Sequence, residues 1–217
     1  MGFGSMIMVF AKRDITILFC QRAEVLQIWS MPALYACLVS FLDVWRTVSP
    51  ALLLIILMLW PIYMMAVRAW SDDVQSGFID QVAVAGASLF SMALIRILLL
   101  AEVVLLPAVL FTMLVLISTS AALFSWFDVL AIFLSTYTLA ALIAVVGALT
   151  VTLRSTGGLA LLLLFPLLLP VLILLAVALT EPGAATAARY LLSALAIVAV
   201  PLGALATAAT LRQRLSH

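Results

Sequence analysis

The sequence predicts an all-α, polytopic membrane protein: six transmembrane helices, an amphipathic helix at the N-terminal interface, and a short cytoplasmic surface helix between spans two and three. Three observations carry this. Of the 217 residues, 68% are hydrophobic and only 9% charged, whereas soluble domains are about 45–50% apolar and about 25% charged. Six apolar runs are separated by short polar turns. Finally, lysine and arginine fall unevenly across the two sides those six runs define.

At roughly 20 residues per span, a chain of this length holds about six helices and leaves no room for a separate catalytic domain. The formal net charge of +1 comes with no basic cluster, so nothing here can displace the counterions of a nucleic acid. Cys20 and Cys37 stand alone, without CxxC or CxxCH, and read as small apolar fillers. The apolar residues Met1 to Phe10 precede Lys12 and Arg13, the reverse of a secretory leader, so cleavage is not expected.

Residues 8–27 set Val9, Phe10, Ile17, Leu18, Val25 and Leu26 against Lys12, Arg13, Asp14, Arg22 and Glu24. This alternation predicts a helix lying in the membrane interface. The spans then follow at 28–42, with Pro32 near its start, and at 51–69, with Pro61 inside. The third, 94–118, carries Glu102 and Pro107. The fourth is 129–153, and a turn at Arg154 to Gly158 leads to the fifth, 159–179, with Pro166 and Pro170. Glu181-Pro182-Gly183 closes that span, and the sixth is 188–209 before the tail LRQRLSH. The prolines are tolerated kinks in such spans.

With six spans both termini share a side. That side collects Lys12, Arg13, Arg22, Arg68, Arg96, Arg154, Arg212 and Arg214 against Arg46 and Arg189 on the other, eight to two. Positive residues are retained in the cytoplasm, which places both termini and the 71–86 loop inside. In that loop Ser71 is a candidate N-cap, and Asp72 and Asp73 would complement the positive end of a helix beginning there. Val74, Phe78 and Val82 recur every four residues and would line one side of that helix. The alternative is a solvated connector with incidental amphipathicity.

Chemistry-bearing residues are few. No Walker lysine motif, HExxH or GxSxG occurs, so the chain does not encode its own ATP hydrolysis or these hydrolytic centres. His217 is the single histidine and nine methionines are scattered, which gives haem ligation no obvious axial pair. Asp72, Asp73 and Gly77 share elements with membrane phosphotransferases that hold divalent metals, but only Asp80 follows where a further acidic pair is needed. Glu102 costs roughly 2.5–3.5 kcal/mol as a charged acid within a span. It should face other helices, water or a partner subunit, or be a neutral acid hydrogen-bonded to a neighbouring helix.

FCQRAEV at 19–25, SDDVQSGFIDQ at 71–81, and GALTVTLRSTGG with LFPLLLPVLI within 147–173 resemble the CcmB family, haem exporter protein B of cytochrome c maturation. The resemblance spans essentially the whole chain. It implies a non-catalytic permease subunit of an ABC transporter in the bacterial inner membrane, with ATP bound by a CcmA-like ATPase and haem handled by the complex. CcmC-like and CcmD-like subunits would be membrane partners, and the CcmE chaperone an indirect one, its haem-loaded form released as ATP is hydrolysed. Carried over by position, Asp72, Asp73, Gly77, Phe78, Asp80 and Gln81 would form the coupling helix that docks on the ATPase. Arg22 and Glu24 would belong to the interfacial helix beside it. The chain departs from the family at 74–81, where VQSGFIDQ lacks an acidic residue that the usual pattern has. Glu102 remains an intramembrane functional candidate from its own chemistry. An exporter permease for another substrate and a membrane phosphotransferase are the competing readings.

Overall fold

The computed structural model describes residues 3–20, 26, 30, 34, 66–103, 126–152, 157–181 and 183–215. All regular structure among these residues is helical. The elements are α1 (Phe3–Cys20), α2 (66–75), α3 (Phe78–Val84), α4 (89–103), α5 (Trp126–Thr152), α6 (Gly157–Thr180) and α7 (Ala185–Leu215). Leu26, Ser30 and Leu34 are also helical. Expectations for the rest of 28–42, for 51–65 and for 104–118 lie outside the described residues, as do Arg22 and Glu24.

α5 is the central helix. It buries four consecutive residues, Thr138 to Ala141, so neighbours cover most of its circumference near the middle. Its small residues let neighbouring backbones approach, as interfaces between membrane helices require. A Cβ on Gly203 of α7 would come within 3.0 Å of the Ala141 Cβ and 3.2 Å of its carbonyl oxygen. One on Gly147 would lie 3.3 Å from Trp70 and 3.4 Å from Ala66 of α2. α6 and α7 pack on α5 and on each other. The hydroxyls of Ser135, Thr136, Thr138, Thr150 and Thr152 donate to carbonyls of α5 itself, which satisfies them without a cavity or ligand.

Among the described residues two helices, α5 and α7, are long and apolar enough to cross a membrane. At 27 residues, α5 is about 40 Å long against a hydrocarbon core of about 30 Å. Exposed Leu167, Leu169 and Ile173 on α6, and Ile197, Val198, Leu202 and Leu205 on α7, suit a lipid solvent. Pro166 and Pro170 lie within α6 and Pro201 within α7, and each helix continues through its prolines.

Three local expectations change. Gly157 and Gly158 belong to the first turn of α6 rather than to the preceding connector. α7 runs through 210–215, where the sequence suggested a tail, because Arg212 and Arg214 in the last turn oppose the negative end of the helix dipole. The 71–86 segment is not one helix beginning at Ser71: that residue is interior to α2, and its hydroxyl oxygen accepts from the Gln75 amide. Gly77, with φ of 69°, makes an elbow between α2 and α3, a left-handed backbone that glycine adopts without a Cβ penalty. α3 closes in a Schellman turn. Gly86 has φ of 66°, its N–H donates to the Ala83 carbonyl, and the Ala87 N–H donates to that of Val82.

Candidate functional site: a charge-clamped surface helix

The elbow at Gly77 decides what the acidic loop presents. α3 turns Ile79 and Val82 into the core, and Val74 and Phe78 pack against the same core, so the four-residue apolar spacing does mark the inner side. Asp72, Asp80 and Gln81 are exposed, as is Gln75. Asp73, which the sequence groups with Asp72 and Asp80 as a contact residue, is instead 2% exposed.

Asp73 lies near the C-terminal end of α2, where a carboxylate meets the unfavourable pole of the helix dipole. Two guanidinium groups offset this. Arg96 Nη1 on α4 donates to Asp73 Oδ2 at 2.5 Å, and Arg13 Nη2 on α1 donates to Oδ1 at 2.6 Å. Arg96 also grips Asp14 of α1 with two donors, Nε at 3.2 Å and Nη2 at 3.0 Å, and gives a further bond to the Ala69 carbonyl at 3.1 Å. Arg13 Nη1 reaches Asp14 at 3.2 Å. Two cations and two anions therefore close a neutral, buried cluster, with Arg96 and Asp14 only 5% and 8% exposed. Such charges are tolerated out of water only when paired and hydrogen-bonded.

Aromatic rings tie the cluster to the helices around it. The Arg13 guanidinium lies 3.5 Å from the centre of the Phe78 ring at the start of α3. Phe78 meets Phe10 of α1 edge-on at 6.4 Å. Arg96 stacks over Trp70 of α2 at 4.6 Å, and Trp70 in turn abuts Gly147 of α5. Planar guanidinium suits this double duty of forked hydrogen bonding and ring stacking, which a lysine ammonium would not perform. α1, α2, α3 and α4 thus meet at one joint, resting on the central helix.

α1 is helical from Phe3, earlier than the residue 8 at which the sequence placed its start. Phe10 and Asp14 turn inward, one turn apart, while Met8, Val9, Lys12 and Ile15 are exposed, a mixed apolar and basic face that fits a membrane surface. Beside the joint, a cleft of about 460 Å³ opens between α2, the last turn of α5 and Arg214 of α7, with Ser71, Gln75, Thr150 and Thr152 in its walls. Arg13, Arg96 and Arg214 therefore gather at the Thr152 end of α5. At its opposite end, Arg189 of α7 donates to Asp128 at 2.7 Å. Glu102, on α4, lies apart from the cluster and accepts a hydrogen bond from the Tyr137 hydroxyl of α5.

The fold and site together define a helical membrane subunit that holds a short helix on its surface, with Asp80 exposed on it and Asp72 exposed beside it, next to an apolar bundle. The chain belongs to the CcmB family, whose model, described as CcmB protein, matches residues 7–214. It is therefore a component of the ABC-type haem-export system of cytochrome c maturation, on the membrane permease side, and functions with an ATPase and other Ccm subunits. No match was found among curated proteins.

Asp14, Arg13 and Arg96 are the site residues that sequence reasoning did not assemble. One signal was available: Arg96 interrupts the apolar run SMALIRILLL, and an ionisable residue in such a run calls for a named partner, the same rule that singles out Glu102.

Proposed function

We propose that α3 is the coupling helix on which a CcmA-like ATPase docks, and that the Arg13–Asp14–Asp73–Arg96 cluster carries its movement to α1 and α4. The observation that carries this reading is the division of labour within one short segment. Asp72, Asp80 and Gln81 face outward, where a partner can grip them, while Asp73 and Phe78 face the arginines. Gly77 supplies the elbow that lets α3 lie across the end of the bundle. The positive-residue bias puts this end, and both termini, on the cytoplasmic side of the inner membrane.

In this mechanism the chain performs no covalent step. ATP is bound and hydrolysed by the partner, and haem is cargo of the whole complex. A stroke of the ATPase displaces α3. Because Asp73 is held from α1 and α4 at once, that displacement re-packs the membrane helices together. CcmC-like and CcmD-like subunits and the haem-loaded chaperone CcmE would read the change on the other face. The membrane phosphotransferase alternative fits less well, since it needs Asp72 and Asp73 free to share a cation, and both Asp73 oxygens are already taken by arginines. An exporter permease for another substrate would use the same joint. A requirement for this chain in holocytochrome c production separates the two.

The test is Asp72→Lys with Asp80→Lys, both exposed positions. The account expects membrane insertion and thermal stability to be retained and ATPase co-purification to be lost. Normal co-purification would remove the docking role.

A further inference from the structure

Glu102 and Tyr137 pose a problem that the docking end of the molecule does not explain. Tyr137 lies near the middle of α5, a helix with the length and composition of a membrane span, and its hydroxyl donates to Glu102. Their pairing therefore sits well inside the apolar layer. Glu102 is nevertheless exposed. The surface around it is apolar and aromatic: Leu98 lies one turn before it on α4, and Leu130 and Phe133 share the face of α5 that carries Tyr137, all three exposed. Phe133 stacks on Tyr137 at 4.6 Å between ring centres, which holds the hydroxyl in place.

Tyr137 donates to one oxygen of Glu102, but acyl chains offer nothing to the rest of an exposed carboxyl, and ionisable groups at such depth almost always face protein or water. We infer that the face formed by Leu98, Glu102, Leu130, Phe133 and Tyr137 is an intramembrane contact surface. Its occupant is a transmembrane helix of a different membrane subunit that presents a hydroxyl, amide or basic side chain to Glu102. Charge complementarity selects that occupant over a second copy of this chain, because a two-fold contact centred on this face would bring Glu102 towards its own copy. Phe133 and Leu98 would supply the packing that encloses the polar contact, and Tyr137 would hold the carboxyl in register.

The test uses the intact complex with a photo-crosslinking amino acid at position 98 or 133, neither of which bears the polar contact. Cross-linked peptides are identified by mass spectrometry. The inference expects a link to a transmembrane segment of another subunit that carries a polar or basic residue. It also expects the yield to fall about 3- to 30-fold in Glu102→Leu, the range for one lost interhelical hydrogen bond, and less in Glu102→Gln, which keeps an acceptor. ATPase co-purification should be unchanged in both variants. Links to lipid only, links to a second copy of the chain, or a yield indifferent to both substitutions would overturn it. Should Glu102→Leu fail to assemble, the mapped peptide and the Glu102→Gln yield decide alone.

Discussion

The two ends of α5 are each secured by aspartate and arginine, yet they are built differently. At the Trp126 end, Asp128 and Arg189 form one pair between α5 and α7, with side chains 20% and 23% exposed, and Phe127 beneath the guanidinium at 5.5 Å. At the Thr152 end, Asp14, Asp73 and Arg96 are buried with the part-exposed Arg13 beside them, and this four-charge cluster near the end of α2 draws in α1, α2 and α4, with α3 reached through Phe78. The first is a local staple. The second is a joint, because each of its four charges is shared between two partners, which ties α1, α2 and α4 to one another. Burial and shared partners, rather than the presence of an ion pair, distinguish a site that can transmit force from one that only fastens two helices.

That comparison can be broken most severely at Arg96. Arg96→Leu leaves two buried carboxylates, Asp14 and Asp73, with only the part-exposed Arg13 between them, and removal of one partner from such a site costs about 3–5 kcal/mol. The variant should fail to accumulate in membranes or melt far below the parent in detergent. A melting temperature close to the parent would mean that the cluster is solvated and not a joint. The next effect is steric and independent of charge. Gly203→Val drives a side chain into Ala141, where a Cβ would already meet its neighbour at 3.0 Å. Overpacking of this kind costs about 1–3 kcal/mol and should lower thermal stability while leaving ATPase binding intact. Smallest is Asp128→Asn, for which a part-exposed pair predicts a loss of about 0.2–1 kcal/mol. If Asp128→Asn were as damaging as Arg96→Leu, the distinction between staple and joint would not stand.

The two ends also differ in how far they could be read from sequence. Helices α5, α6 and α7 coincide to within a few residues at most boundaries with the last three apolar runs, because the composition of each run leaves few alternatives to helix. Only the end of α7 reached further, for the electrostatic reason given above. The docking end was half legible. Val74, Phe78 and Val82 were legible as one side of the segment, which the structure turns to the core, although the resemblance assigned Phe78 to the docking contact; their spacing suggested one continuous helix, and a single left-handed glycine at position 77 divides it. With that break, Asp72 and Asp73 fall near the end of a helix rather than at its beginning, which reverses the dipole argument and makes a partner for Asp73 necessary. Those partners could not be found from local pattern. Arg13 is 60 positions from Asp73, and Arg96 is 82 from Asp14. Glu102 was visible as an anomaly in an apolar run, whereas its contact with Tyr137, 35 positions away, needed the packing of α4 on α5.

The account depends most on the cluster transmitting movement, as distinct from supporting the fold, and Arg13 separates the two. Its side chain is 27% exposed, so Arg13→Gln should be tolerated while freeing Phe78 and one oxygen of Asp73. The deciding measurement is holocytochrome c formed per ATP hydrolysed in complexes of equal abundance. The account predicts that Arg13→Gln retains the ATPase and its basal hydrolysis but forms markedly less holocytochrome c per ATP, with partial recovery in Arg13→Lys. An unchanged ratio in Arg13→Gln would contradict it.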